Sequence, residues 1–133
     1  DLARVGGRYS NVWHVEHLIK PQALVPESIM PSYAFLAKTD LDAANIGGHL
    51  KANQIVGVPY TDDMIANANA DLVAQATLDG DGAGLTDRYA KVRIEDFDGD
   101  PSRVTEMDAL VAYLQMLGTL VDFSTYDAAS NYL

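Results

Sequence analysis

The segment that decides the fold reads Val25-Pro26-Glu27-Ser28-Ile29-Met30-Pro31-Ser32-Tyr33-Ala34-Phe35-Leu36. It places a methionine between two prolines, in a chain of 133 residues that contains no cysteine. A residue that precedes proline is forced into extended geometry, so Pro31 restricts Met30 and the thioether is offered from a stiff loop. A neutral sulfur on such a loop suits the axial coordination of haem iron. The other interpretation is a methionine that fills an apolar gap.

Capping residues and hydrophobic spacing predict a mainly α chain. Ser10 can cap a first helix over Asn11–Ile19, and Pro21 ends it. Prolines at positions 21, 26 and 31 exclude a continuous helix in the next segment, which we expect to form a wrapping loop.

Two helices are expected in the middle of the chain. Asp40 can cap a helix that begins at Leu41. Thr61 precedes a stronger helix, because Asp62 and Asp63 suit the positive end of the helix dipole. The apolar residues of that helix recur at helical spacing: Ile65, Ala68, Leu72, Val73 and Ala76.

The last helix is the best-defined element of the sequence. Thr105 and Asp108 form a near capping box, and Gly118 ends the helix. Its predicted buried stripe consists of Met107, Leu110, Val111, Leu114 and Leu117. Before this helix, residues 79–104 are expected to form a flexible insertion, with an irregular strand over residues 89–98. The predicted domain covers residues 1–120, and residues 121–133 form a tail.

Charge is distributed unevenly along the chain. The first 60 residues carry five acidic and five basic side chains, so residues 61–133 account for the whole net charge of −10. Nucleic acid is not expected as a partner, because phosphate binding needs a basic face. A solvated acidic surface explains the excess. The same charge would also steer a basic partner such as a soluble cytochrome c.

Five segments in sequence order carry a family resemblance: DLARVGGRYS (1–10), WH (13–14), MPSY (30–33), GVPYT (57–61) and TEMDALVAYLQMLGT (105–119). Together they resemble subunit II of the cbb3-type cytochrome c oxidases, the membrane-anchored mono-haem cytochrome known as CcoO or FixO. The chain departs from the family pattern at Ile29, Ala34 and Phe35. The resemblance implies a partial class I cytochrome c-like fold that lacks the first helix and the haem-attachment motif.

The resemblance also implies the site and its cofactor, haem c. Met30 is then the distal ligand of the iron, opposite a histidine in an upstream Cys-x-x-Cys-His motif. The implied cofactor-binding residues are Arg4, Arg8, Tyr9, Trp13, Met30 and Tyr33. Arginines suit this role because a guanidinium binds a carboxylate, such as a haem propionate, through two parallel donors.

Since the chain has no cysteine, we expect a carboxy-terminal fragment that binds no haem by itself and catalyses nothing. The implied location is the periplasmic side of a bacterial inner membrane, with the anchor helix absent from this chain. The implied partners are the catalytic and dihaem cytochrome subunits, and the intact subunit relays electrons to the catalytic one. The open haem side of the fragment would favour self-association as a dimer.

Two other functions are weighed against electron transfer. One is a non-redox interaction module with an acidic surface. The other is a small metal-dependent hydrolase built on His14, Glu16 and His17. Ordinary surface or hydrogen-bonded histidines explain the same residues, and the resemblance adds a hydrogen bond from His14 near a haem propionate. The acidic loops that begin at Asp79 and Asp96 both fail the EF-hand pattern.

Overall fold

The computed structural model describes residues 2–78 and 82–120. The helices are α1 (Asn11–Ile19), α2 (Pro21–Leu24), α3 (Ile46–Ile55), α4 (Asp62–Ala76), α5 (Gly82–Arg88) and α6 (Glu106–Met116), with a 3₁₀ helix over Ala34–Lys38. No β-strand forms in the described residues, where an antiparallel bridge joins Asp40 to Thr105. The mainly α prediction is therefore confirmed, and the arrangement is consistent with a cytochrome c-like fold.

The first helix has the predicted bounds. Ser10 is in extended geometry, and its side-chain oxygen accepts a hydrogen bond from the backbone nitrogen of Trp13 at 3.1 Å. Pro21 ends α1 but also begins the short α2, because proline at the first helical position lacks only a donor that the helix leaves unused. The expected wrapping loop thus contains one short helix.

Helix α4 begins after Thr61 as predicted, with the Thr61 hydroxyl accepting from the backbone nitrogen of Met64 at 3.2 Å. Helical spacing of the apolar residues does not decide burial here, since Val73 is 45% exposed while Asp71 is buried. The cause is tertiary: Arg88 at the end of α5 forms a two-pronged ion pair with the Asp71 carboxylate. A charged side chain can be buried when a partner of opposite charge neutralises it.

The predicted helix from Leu41 is wrong, because α3 begins at Ile46. Asp40 pairs instead with Arg103 at 2.6 Å, and the backbone nitrogen of Leu41 donates to the carbonyl of Val104 at 3.0 Å. These long-range bonds hold residues 40–41 against the segment that precedes α6. The backbone there is extended and cannot start a helix.

The predicted insertion also differs from expectation. It contains α5, and residues 89–98 form no strand. Phe97 is only 2% exposed and belongs to the core cluster with Leu18, Met107 and Val111. This part of the insertion therefore contributes to the hydrophobic core. Residues 79–81 and the predicted tail at 121–133 lie outside the described residues.

Helix α6 confirms the capping prediction. The Thr105 hydroxyl accepts from the backbone nitrogen of Asp108 at 3.2 Å, and the Asp108 carboxylate accepts from the backbone nitrogen of Thr105 at 2.9 Å. The helix ends at Met116, two residues before Gly118, which has a φ of 78°. A positive φ at this place is the ordinary glycine signal for the end of a helix.

Gln115 fastens the opening loop to α6, a role that the sequence did not reveal. The side chain is 1% exposed, and its oxygen accepts from the backbone nitrogen of Gly7 at 2.9 Å. Its amide nitrogen donates to the carbonyl of Tyr9 at 2.9 Å and to the side-chain oxygen of Asn11 at 2.7 Å. One buried amide therefore fixes both the loop and the start of α1.

Replacing Gln115 with leucine should lower the free energy of unfolding by about 2–4 kcal/mol, because three partly buried hydrogen bonds, to Gly7, Tyr9 and Asn11, are lost. Urea unfolding followed by circular dichroism measures this effect. Tyr113→Leu, on the exposed side of α6, is the matched control and should change stability by less than about 1 kcal/mol. Equal stability of the two variants would contradict this role for Gln115.

Asp108 should make stability depend on pH. Burial raises its pKa, and the nearby Asp98 carboxylate adds to that rise, while hydrogen bonds from Thr105 and Asp98 oppose it. A raised folded-state pKa means that the folded protein binds the proton more tightly than the unfolded chain does. The stabilising contribution is thus complete below the unfolded-state pKa and is lost as the pH rises through the folded-state value.

The comparison variant is Asp108→Asn, which does not titrate at this position. We expect the unfolding free energy of the unsubstituted protein, minus that of Asp108→Asn, to fall as the pH rises from about 4 to about 7. Urea titrations at several pH values measure the difference. A difference that grows with pH would show that hydrogen bonding to the carboxylate outweighs its burial.

Candidate functional site

The loop that carries Met30 is attached to the last turn of α1. The backbone nitrogen of Tyr33 donates to the carbonyl of Leu18 at 2.7 Å, and the Ser32 hydroxyl donates to the carbonyl of Ile19 at 2.6 Å. Carbonyls in the last turn of a helix have no partner within the helix. The loop satisfies two of them, so the end of α1 sets its position.

The backbone of Met30 is hydrogen-bonded on both sides. Its carbonyl accepts from the side-chain amide of Gln22 at 3.0 Å, and the same amide donates to the carbonyl of Ser28 at 2.9 Å. The nitrogen of Met30 donates to the Ser28 hydroxyl at 3.2 Å. These bonds add to the restriction that Pro31 imposes on the backbone of Met30.

The Met30 side chain is half-buried against the core cluster, to which Leu18 and Phe97 belong. The preceding Ile29 is 100% exposed. The loop therefore turns the thioether side chain inward and the neighbouring apolar side chain outward. Tyr33, another predicted site residue, is half-buried and packs against the same cluster.

Stacked rings run along α1 from the residue before its cap to its last turn. The ring centroids of Tyr9 and Trp13 lie 4.0 Å apart, and those of Trp13 and His17 lie 4.7 Å apart. The Arg8 guanidinium lies 5.7 Å from the centre of the Tyr9 ring, within cation–π range. We call Tyr9, Trp13 and His17 the aromatic column. Three predicted site residues, Arg8, Tyr9 and Trp13, thus lie together.

His14 is buried beside the aromatic column, with its ring edge-on to Trp13 at 5.4 Å and to Tyr9 at 6.0 Å. It is 4% exposed, and its Nε2 has no hydrogen-bond partner; the buried Nδ1 of His17 also has none. Burial lowers the pKa of His14, and the nearby His17 lowers it further. The interpretation as surface or hydrogen-bonded histidines is therefore wrong for these nitrogens.

The remaining predicted residue, Arg4, is exposed near the end of α6. A Cβ atom added at Gly118 would lie 2.8 Å from the Cα of Arg4, so the opening loop passes directly over this glycine. The predicted residues thus form two groups joined by α1, the Met30 loop and the aromatic column, with Arg4 placed beside α6.

The hydrolase interpretation gains no support from this geometry. Glu16 is exposed while His14 is buried, and among the described residues these two do not join His17 in a metal-binding group. Asp96, Asp98 and Asp108 do bring carboxylate oxygens within 4.8 Å of one another. The sequence analysis missed this trio because it tested only EF-hand spacing.

Hydrogen bonds account for the acidic trio. Asp108 accepts from the backbone nitrogens of Thr105 and Asp98, and the Thr105 hydroxyl donates to Asp98 at 2.7 Å. Asp96 accepts from the backbone nitrogen of Gly99 at 2.8 Å. The carboxylates therefore serve as the cap of α6 and the frame of the preceding turn.

A cavity of about 700 Å³ lies among α3, α4, α5 and α6. Its lining is mostly apolar, with Asp71, Lys91 and Arg93 among the charged residues. None of the six predicted site residues lines it. The Met30 loop and the aromatic column are thus separate from this cavity.

Comparison with known families decides the identity of the chain. The family model described as cytochrome c oxidase, mono-haem subunit/FixO, matches residues 1–121. The match includes the opening loop, α1, the Met30 loop and α6. The chain belongs to the FixO family. It is therefore related to a mono-haem electron-transfer subunit of the cbb3-type oxidase complex. No curated protein matches the chain in a sequence search.

The residues near α1 fit the haem of a FixO subunit in part. Two buried imidazole nitrogens without partners suit a cofactor that carries carboxylates, and so does the exposed Arg8 over Tyr9. These 133 residues cannot attach haem c covalently, because they contain no cysteine to form thioether bonds. Among the described residues, no helix combines the length and apolar composition needed to cross a membrane.

The anchoring of the Met30 loop can be tested by amide hydrogen exchange. Gln22→Ala removes the donor to the carbonyls of Ser28 and Met30, so the Met30 amide should exchange roughly five to ten times faster. Gln54→Ala is the matched control, because Gln54 makes a similar bond to the carbonyl of Tyr60 in another loop. An unchanged Met30 exchange rate in Gln22→Ala would contradict the anchoring role.

Proposed function

We propose that this chain forms the periplasmic electron-transfer part of the mono-haem subunit of a cbb3-type oxidase, with Met30 as the distal ligand of the iron. The supporting observation is the anchored Met30 loop in a chain that matches the mono-haem family over residues 1–121. The haem, when bound, supplies one-electron redox chemistry. The oxidase complex reduces oxygen in another subunit, so this polypeptide alone catalyses nothing.

The role of the Met30 loop is to hold a neutral sulfur in place. Hydrogen bonds from Gln22, Ser32 and Tyr33 order the loop before any ligand is bound. A pre-ordered ligand loses little conformational freedom on binding. A thioether ligand also favours the reduced iron and so raises the redox potential.

The role of the opening loop in this proposal is to bind the carboxylates of the cofactor. Arg8 stacks over Tyr9 and keeps its exposed guanidinium near the aromatic column, where it can bind a carboxylate. Trp13 has an indole donor in the same column. Arg4, beside the end of α6, and Tyr33, on the Met30 loop, complete the proposed set.

The second iron ligand and the covalent attachment lie outside these 133 residues in this proposal. The chain has three histidines, of which His14 and His17 adjoin the aromatic column and His49 is exposed on α3. None follows a Cys-x-x-Cys motif. We therefore place the other ligand in a Cys-x-x-Cys-His segment of the intact subunit.

Exposed apolar side chains near α1 support contact with other proteins. Val12, Ile29 and Phe35 are each more than half exposed. In the intact complex these side chains would face the catalytic and dihaem cytochrome subunits. In the isolated chain the same side chains favour dimerisation.

The acidic surface of residues 61–120 suits a basic electron donor such as a soluble cytochrome c.

Met30→Leu in the intact, haem-loaded subunit should lower the midpoint potential and change the absorption spectrum. Leucine has similar volume but no ligand atom, so the iron loses the sulfur while the core packing is preserved. The haem content should stay unchanged, because attachment depends on the upstream cysteines. Redox titration followed by optical spectroscopy measures both quantities.

Met64→Leu, a half-buried methionine on α4, is the matched control and should leave the spectrum unchanged. If Met30→Leu also retains the unaltered spectrum and potential, Met30 is not the ligand. A subunit without bound haem would instead favour the non-redox interaction module.

A further inference from the structure

We propose that the tail, residues 121–133, binds in the cavity of about 700 Å³ among α3, α4, α5 and α6 and thereby joins two groups of helices. The Met30 loop and the aromatic column do not line this cavity. The inference therefore concerns a part of the molecule that the proposed electron-transfer site does not use, and it assumes no haem.

The first argument is the way in which the helices pack. Helix α4 packs against α3 and α5, whereas α1 packs against α2, α6 and the 3₁₀ helix. Within the described residues, no helix of the first group packs closely against a helix of the second. The cavity lies between them, because Leu50 and Leu72 of the first group and Met116 of α6 all line it. A segment that fills the cavity would contact both groups and hold them together.

The second argument is the apolar surface of the cavity. Leu50, Leu72, Val92 and Met116 line it, and each of these side chains is only half-buried. Apolar surface that stays in contact with water is unfavourable in proportion to its area. A cavity of this size and lining is typical of sites that bind an apolar group. An occupant with several apolar side chains is therefore indicated.

The third argument is the place where the chain leaves α6. Met116, Thr119 and Leu120 all line the cavity. The backbone nitrogen and the hydroxyl of Thr119 both donate to the carbonyl of Met116, at 3.0 and 2.7 Å. These bonds hold the last described residues at the cavity wall. Three residues span at most about 11 Å, so Phe123 lies within that distance of Leu120.

The composition of the tail suits the cavity. The tail has three aromatic and two acidic side chains and no basic one: Phe123, Tyr126, Tyr132, Asp122 and Asp127. Aromatic side chains bury a large apolar area and pair favourably with other rings. The cavity offers such rings in its lining, from two tyrosines and a phenylalanine.

Charge also favours the tail as the occupant. Lys91 and Arg93 line the cavity, and its acidic lining residue, Asp71, is already paired with Arg88. Among the residues that the structure describes, Lys91 has no ion-pair partner. Residues 61–133 account for the whole net charge of −10, so the acidic tail is repelled by most of the surface around it. The cavity is thus a place where its carboxylates meet cations.

Covalent connection decides between the tail and other occupants. A segment joined to the cavity wall through Leu120 binds at a high effective concentration. A second copy of the chain or a free ligand has to compete with it from solution. We therefore assign the cavity to the tail of the same molecule.

The experiment is NMR of the 133-residue chain with a nitroxide label in the tail. The sequence has no cysteine, so Ser124→Cys provides one attachment point. Leu50 on α3 and Leu72 on α4 line the cavity and are far from the label in sequence. Their amide signals should lose most of their intensity when the label is oxidised and recover it when the label is reduced.

Two labelled variants test the contacts that the proposal names. Phe123→Ser combined with Tyr126→Ser removes the apolar side chains and should restore the signals of Leu50 and Leu72. These substitutions lie outside the described helices, so circular dichroism should stay unchanged. Lys91→Glu should restore part of the intensity. Lys20→Glu, at an exposed lysine after α1, is the matched control and should leave the loss unchanged.

Undiminished Leu50 and Leu72 signals in the labelled, otherwise unsubstituted chain overturn the inference. An equal loss in the Phe123→Ser, Tyr126→Ser variant also overturns it, as does an equal loss in Lys91→Glu and Lys20→Glu. A mixture of spin-labelled chain with isotope-labelled chain lacking the cysteine tests the second copy as occupant. Signal loss in that mixture would show that the tail of one molecule binds another, which contradicts the assignment.

Discussion

The hydrogen bonds that join the Met30 loop to the last carbonyls of α1 are the constraint on which the candidate site depends. They use acceptors that every helix leaves free at its end, so the loop and the helix stabilise each other. Pro31 narrows the backbone choices of Met30, and Gln22 fixes its carbonyl. The thioether is thus held by local bonds of modest strength acting together.

Helix α1 is the common support of both groups of site residues. Its carboxy-terminal end holds the Met30 loop, while its face carries Trp13, His14 and His17. Gln115 fixes the other end by binding the backbone before α1 and the side chain of Asn11. A displacement of α6 would consequently move the aromatic column and the Met30 loop together, which makes α6 part of the site although it offers no ligand.

Local signals explain what the sequence predicted well. The bounds of α1 and the capping box of α6 follow from side chains within a few residues of each helix start. The helix expected at Leu41 failed because Asp40 and Leu41 bond to residues more than 60 positions away. The buried Asp71 of α4 was missed for the same reason, since its partner Arg88 lies on another helix. The spacing of hydrophobic residues gives no information about such long-range bonds.

The same distinction between local and long-range interactions applies to the candidate site. The family resemblance and the two prolines pointed to Met30, and the structure adds the hydrogen bonds that hold its loop. The burial of His14 and the contacts of Gln115 depend on tertiary packing, and no spacing pattern predicts them. The positions that sequence reasoning misjudged are thus polar side chains whose burial is decided by distant parts of the chain.

The proposed coordination of iron by Met30 can be tested directly by NMR of the reduced, intact subunit with labelled methionine methyl groups. The described chain has four methionines, at positions 30, 64, 107 and 116, so each methyl signal can be assigned by substitution. A methyl group bound through sulfur above the porphyrin is shifted far upfield by the ring current. We predict that shift for Met30 alone. A Met30 methyl signal at its ordinary position, in a subunit that carries its haem, would contradict the account.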